Sequence, residues 1–287
     1  MAVLGKRMES RKMENMNKKT YRRVLTIAGS DPSGGAGLQA DLKTFAACGC
    51  YGASAVVAVV DENTVGVTGI HPIPVDFVTG QIRSVLDDIG ADAIKIGMLH
   101  SSKLIHAVRD TIARYPIKNI VLDPVMVATS GDPLLEPDAV ATLRDELMPH
   151  VRIITPNIPE AELLLGEKIE SQESLPDTAR RLSELCGGVS VLLKAGHLRD
   201  PELTDVFYNA ESGRHIILRS RRCDTANTHG TGCTLSSAFA AFLAHGNDLD
   251  RAARLAKDYI TAAIEAGAEY TIGHGNGPVH HFHAFWQ

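Results

Sequence analysis

Asp224-Thr225-Ala226-Asn227-Thr228-His229-Gly230-Thr231-Gly232-Cys233-Thr234 joins a thiol to a glycine-rich turn, and small residues follow at Ser236, Ser237, Ala238, Ala240 and Ala241. The small residues predict a helix beginning near Thr231. Its first N–H groups lack internal partners, and two glycines let a ligand approach them closely. Such a turn is a cradle for an anion. Cys233 falls in the first helical turn, where the helix dipole favours a thiolate. Gly230, Thr231, Gly232 and Cys233 therefore combine anion binding with a nucleophile or proton acceptor.

A second glycine-rich stretch, Ala28-Gly29-Ser30-Asp31-Pro32-Ser33-Gly34-Gly35-Ala36-Gly37, joins a strand to a helix. It lacks the Gly-Lys-Ser/Thr ending of a P-loop. Gly35 to Ala40 matches a dinucleotide pattern, and Asp61 and Glu62 follow the next strand. Against that reading, Asp31 would put negative charge beside a pyrophosphate. The alternatives are a substrate pocket, with Gly29 offering backbone groups and Asp31 orienting a polar ligand, or a tight turn. Glu62-Asn63-Thr64 suits either a contact with a ring or a turn. Met98, after Gly97, suits a flat ligand or the core. Asp123 is a strand-end carboxylate suited to Mg²⁺ through water, and the loop to Gly131 suits a lid. Asn157 and Glu160, three apart, suit a hydrated metal with its phosphate, or a helix start. Lys194 ends a strand with a cation. Lys257 lies on the last long helix, on the surface or in reach of a phosphate. The spacing of His274, His280, His281 and His283 fits no zinc site.

These residues need elements to position them. Strands are expected at 23–28, 53–60, 93–97, 120–123, 151–154 and 189–194, with a hairpin of 204–208 and 215–218. Helices are expected at 35–48, 74–89, 101–114, 159–165, 174–186, 231–244 and 249–267. The alternation predicts an α/β fold with a mainly parallel central sheet and helices on both faces. No linker divides it, so residues 22–287 are expected to form one domain, after a disordered extension of residues 1–21. Ligands of such sheets sit beyond the carboxyl ends of the strands.

The 287 residues are 44% hydrophobic with a net charge of −5, which gives no sign of a nucleic-acid surface. Arg219, Arg221 and Arg222 read as a solvated face. Five irregularly spaced cysteines suggest reduced thiols and a cytoplasmic home. No stretch is long and apolar enough for a membrane span.

Taken together, Ala28 to Asp31 with Gly34 to Asp41, Asn63-Thr64, Ile94 to Leu99, Asp123 to Met126, Thr155 to Asn157 and Thr228 to Cys233 resemble the hydroxymethylpyrimidine/phosphomethylpyrimidine kinases of thiamine synthesis, over roughly Arg22 to Phe285. The resemblance implies a ribokinase-like fold and a homodimer. It implies two successive ATP-dependent phosphorylations, of 4-amino-5-hydroxymethyl-2-methylpyrimidine and then of its monophosphate. It assigns Cys233 as base within the Gly-Thr-Gly-Cys anion hole, and substrate contacts to Gly29, Ala36, Met98 and Val125. Nucleotide and metal contacts fall to Asp123, Asn157, Glu160, Lys194, Thr225 and Lys257. Glu62 departs from the family's common Gln, and Ala195 from its Gly. Pyridoxal kinases of the same superfamily are the nearest alternative, disfavoured because the lid carries Ala128 rather than a second cysteine. An NAD-dependent oxidoreductase and a non-catalytic binder are the others.

Overall fold

Val24 and Leu25, Ala93 and Ile94, Val121 and Leu122, and Ile153 and Ile154 are pairs of sequence neighbours that are all buried. Adjacent strand residues face opposite ways, so such pairs require cover on both faces of a sheet. The computed structural model, which describes residues 19–126, 134–198 and 200–286, supplies that cover. Strands β1 (Arg23–Ala28), β2 (Tyr51–Val56), β5 (Ala93–Ile96), β6 (Ile120–Leu122), β7 (Ile153–Ile154), β8 (Ser190–Leu193), β9 (Glu202–Asn209) and β10 (Arg214–Arg221) form one sheet. Its order is β10-β9-β8-β7-β6-β5-β1-β2. The six strands from β8 to β2 are parallel, while β9 and β10 pair antiparallel.

Helices α1 (Gly37–Ala47), α7 (Thr231–Ala244) and α8 (Leu249–Gly267) cover one face around Phe45, Phe207 and Phe239. Helices α2 (Val75–Asp88), α3 (Ser102–Ile112), α5 (Ile158–Leu165) and α6 (Leu175–Leu185) cover the other, around Ile82, Leu104, Ala161 and Leu182. Helix α7 is buried on nearly every side from Thr234 on, which explains its lack of a polar stripe. Ser101 caps α3 as expected, accepting from Leu104 N at 3.4 Å.

Several expected boundaries moved. The strand expected at 53–60 is two strands. Val57 N donates to Ala28 O at 3.0 Å and Ser30 N to Ala58 O at 2.9 Å, and beyond this crossing the chain leaves the sheet. It forms a separate hairpin of β3 (Ala58–Glu62) and β4 (Val67–Pro72). Gly69 and Pro72 concealed β4, since both read as strand breakers. The short α4 (Ala139–Thr142) and the wide turn Leu143–Leu147 after it were not expected. Helix α1 starts at Gly37, not Gly35. Gly37 has φ +53° and a methyl group there would lie 2.6 Å from Gly29 O. Residues 1–18 of the expected extension lie outside the described residues, and Tyr21 packs its ring 5.8 Å from that of Tyr51.

Candidate active site

Because β1, β5, β6, β7 and β8 are parallel, Gly29, Met98, Asp123, Asn157 and Lys194 emerge along one edge of the sheet. Asp123 is 2% exposed. Its Oδ1 accepts from Lys194 Nζ at 3.0 Å and from Thr155 Oγ1 at 2.9 Å, and its Oδ2 from Ser236 Oγ at 3.3 Å. Ser236 lies in α7, so the start of that helix is brought onto the Asp123–Lys194 pair. A methyl group at Gly232 would lie 3.2 Å from Lys194 Nζ and 3.4 Å from Asp123 Oδ2. Burial alone would neutralise both partners, but their mutual attraction prevails: Asp123 is held below the usual carboxylate range and Lys194 above the usual amine range.

Asn157 and Glu160 form a capping box at the start of α5. Asn157 Oδ1 accepts from Glu160 N at 2.9 Å and Glu160 Oε2 from Asn157 N at 2.8 Å. Burial pushes the Glu160 carboxyl up to about 7 despite the attraction of Lys194. Asp123, Asn157 and Glu160 are hard oxygen donors, which suits Mg²⁺. Their oxygens are already engaged by N–H and O–H donors, so the set fits a hydrated ion held through water and phosphate rather than direct ligation.

The two glycine loops meet through Asp31 and His229. Asp31 is 1% exposed. Its carboxylate accepts from Ser33 N at 2.7 Å, Ser33 Oγ at 2.9 Å and Ala36 N at 2.6 Å, and lies 2.9 Å from His229 Nε2. Asp31, expected to orient substrate, is thus spent inside its own loop. Glu62 Oε1 lies 3.9 Å from the same imidazole nitrogen. These three side chains bring ligating atoms within 4.8 Å of one another, yet Asp31 is saturated by protein donors. Burial would raise the Asp31 carboxyl, but the His229 hydrogen bond and those of Ser33 and Ala36 hold it well below its usual range. Burial would lower the His229 imidazole, and Asp31 and Glu62 instead raise it.

The pair imposes a pH dependence on stability. A depressed carboxyl contributes above the ordinary range near pH 4 and loses its contribution as pH falls further. A raised imidazole contributes fully below about pH 6.5 and loses its contribution as pH rises through the raised value. The thermal stability advantage of the wild-type protein over an Asp31→Asn/His229→Asn double variant is therefore expected to shrink from about pH 6 to about pH 9. A melting-temperature difference that stays constant across that range would contradict the charged pairing.

Cys233 is half-buried at the start of α7. The helix dipole was expected to favour its thiolate, but burial dominates and pushes the thiol up to about 11. Lys95 and the Gly37 N–H oppose the rise, and Asp41 and Asp123 add to it. Lys257, expected near phosphate, donates to Asp205 Oδ2 at 2.7 Å, and Asp205 Oδ1 accepts from Ala195 N at 2.7 Å. The last helix is thus tied to the chain just after Lys194. Thr225 is half-buried, with Oγ1 accepting from Asn227 N at 3.1 Å. Ala36 is the N-cap of α1. Met98 covers Gly29, where a methyl group would meet its Cε at 2.8 Å. Val125 is half-buried two residues past Asp123, and Ala128 lies outside the described residues. Arg222 is exposed, as are Arg219 and Arg221, and it also donates to the carbonyls of Asp200, Gly196 and Leu198.

The model of one family, phosphomethylpyrimidine kinase, matches residues 31–280. The chain belongs to the phosphomethylpyrimidine kinase family. The hydroxymethylpyrimidine/phosphomethylpyrimidine kinase of Escherichia coli (strain K12) is 48% identical over 265 residues, spanning 92% of this chain and 98% of that one. An ADP complex of Bacillus subtilis pyridoxal kinase superposes with a TM-score of 0.83 at 37% identity, covering 92% of this chain and 99% of that one. A phosphomethylpyrimidine kinase from Clostridium difficile superposes at 0.73 with 41% identity, covering 84% and 99%. The fold is ribokinase-like.

The dinucleotide reading falls with family membership, and the geometry explains the false match. A methyl group at Gly35 would lie 2.4 Å from His229 Cδ2, so that glycine serves contact between the two loops. Three pairings in this region escaped sequence reasoning: Asp31–His229, Lys257–Asp205 and Lys95–Asp41. An acid or lysine inside a strand was the signal available for Asp205 and Lys95.

Proposed function

We propose that this chain transfers the γ-phosphoryl group of ATP to the hydroxymethyl oxygen of 4-amino-5-hydroxymethyl-2-methylpyrimidine, and then phosphorylates the monophosphate to the diphosphate. The observation that carries the reading is the start of α7 resting on the buried Asp123–Lys194 pair, with Ser236 bonded to Asp123 and Gly232 so close that a methyl group there would touch both partners. The turn at Gly230 and Thr231 presents the first-turn N–H groups of Gly232 and Cys233 to the transferring group, with Thr231 N itself donating to Thr228 O at 3.3 Å. Lys194 adds positive charge as negative charge moves to the leaving oxygen. The substrate oxygen attacks phosphorus, the bond to ADP breaks, and the hydroxyl proton passes to the Cys233 thiolate, which later returns it to solvent. Gly29, Ala36, Met98, Val125 and Glu62 line the pyrimidine side, with Asp31 fixing the loop behind them. Thr225 and Lys257 belong to the nucleotide side, Lys257 acting through Asp205 in this geometry. Mg²⁺ held through water near Asp123, Asn157 and Glu160 would neutralise phosphate charge.

Support for a homodimer comes from apolar side chains left exposed on and beside the β3–β4 hairpin, at Val59, Val65, Ile70 and Phe77. Five free thiols suit a reducing cytoplasm. Among the described residues no helix is long and apolar enough to cross a membrane.

A kinase assay with the pyrimidine alcohol, its monophosphate and pyridoxal tests the proposal. Turnover of both pyrimidines, with kcat/KM for pyridoxal lower by about tenfold or more, is the expected result. A preference for pyridoxal would overturn the substrate assignment.

A further inference from the structure

Lys95 is wholly buried in β5, and its Nζ donates to Asp41 Oδ1 at 2.8 Å and Oδ2 at 3.0 Å. Asp41, in α1, also accepts from Thr26 Oγ1 of β1 at 2.6 Å and from Ser237 Oγ of α7 at 2.7 Å. Four elements therefore converge on one carboxylate. Ser237 stands one helical turn beyond Cys233, on the same side of α7. A methyl group at Gly97 would lie 3.0 Å from Lys95 Nζ, so the ammonium sits just behind the substrate edge. Burying an ion pair often contributes little net stability compared with apolar side chains of the same size. Its place under the reacting turn is better explained by what it does there.

We infer that Lys95 and Asp41 are positioning residues of the transfer site: through Ser237 the pair locks α7 to the sheet one turn beyond Cys233 and supplies the charge beside which Cys233 gains and loses its proton. The inference rests on the reading of Cys233 as the reacting group. The groups whose charge or dipole acts on that thiol are Lys95 from β5, Asp41 and the Gly37 N–H from α1, Asp123 from the end of β6 and Lys194 from the end of β8. Lys95 favours the thiolate and Asp41 opposes it. Removing one charge at a time must then act in opposite directions.

The test is the rate of iodoacetamide alkylation at fixed pH, followed on the Cys233 peptide by mass spectrometry in the full chain without nucleotide. One unit of thiol shift changes the thiolate fraction tenfold, and the compensating change in nucleophilicity leaves about a threefold change in rate. Lys95→Met is expected to slow alkylation by about threefold or more and Asp41→Asn to speed it by a similar factor, with kcat following the same order. The charge-free Lys95→Met/Asp41→Leu variant keeps the packing and is expected to alkylate more slowly than wild type. Should Lys95→Met fail to fold, Asp41→Asn and the double variant carry the test. Unchanged rates, or shifts in the same direction for the two single charge removals, would overturn the inference and leave a pair that only holds the fold. Alkylation needs no turnover, so its outcome stands apart from that of the substrate assay.

Discussion

Cys233→Ala is expected to phosphorylate the pyrimidine alcohol about 10²- to 10⁴-fold more slowly than wild type, the span for losing a general base. ATP affinity should change little, because the cation and carboxylates at Lys194, Asp123 and Glu160 are untouched. The pH profile identifies the lost role. A thiol pushed up to about 11 is ionised in only about one molecule in 10⁴ at pH 7. If the thiolate accepts the substrate proton, wild-type kcat rises about tenfold per pH unit between pH 7 and pH 9, provided chemistry limits turnover. The alanine variant should lose that slope. Cys233→Ser keeps a hydrogen-bonding oxygen but has no accessible anion, so it should resemble alanine. A flat wild-type profile, with serine nearly as active as cysteine, would remove the base role and leave residue 233 holding the hydroxymethyl oxygen by hydrogen bonding. Steady-state kinetics of the three proteins from about pH 6.5 to about pH 9, with single-turnover measurements to isolate chemistry, decide between these outcomes.

The parts of the fold visible in the sequence are those set by local pattern. The alternation of strand and helix patterns implied a parallel sheet covered on both faces, and the small-residue run after Thr231 marked a helix that the structure bounds at Thr231 and Ala244. Parallel topology then placed Gly29, Met98, Asp123, Asn157 and Lys194 at one edge without any knowledge of distances. The hairpin was less visible because Gly69 and Pro72 interrupt its second strand and half of its side chains face solvent. Pairings between distant positions left no periodic trace. Asp31 and His229 are 198 residues apart, and Lys194 and Asp123 are 71 apart. Their chemistry depends on packing that no spacing rule reaches. Cys233 illustrates the limit from the other side: the dipole argument was sound locally, but the desolvation of a half-buried thiol outweighed it.

Gly230→Ala is expected to be the most damaging backbone substitution near the site. Gly230 has φ +75°, and a methyl group there would lie 1.8 Å from Gly35 O, 2.7 Å from Gly35 C and 3.2 Å from Ala36 Cα. None of those atoms is the end of a flexible side chain. Relief requires the anion turn to separate from the loop at residues 33–37, which Asp31 and His229 hold together. Left-handed backbone alone costs an alanine about 1–2 kcal/mol. The separation then displaces the N–H groups of the transfer turn, and losing one such donor lowers kcat by about 10²- to 10³-fold. Gly213→Ala supplies the comparison. Gly213 has φ +69°, but nothing lies within 4 Å of a methyl group there, in the turn between β9 and β10. That variant should lose a similar backbone contribution, visible as a lower melting temperature, while keeping wild-type kcat. Gly230→Ala should lose more stability and most of its turnover even at temperatures where it is fully folded. If both variants destabilise equally and both retain kcat, the close contact between the two loops does not position the transferring phosphate.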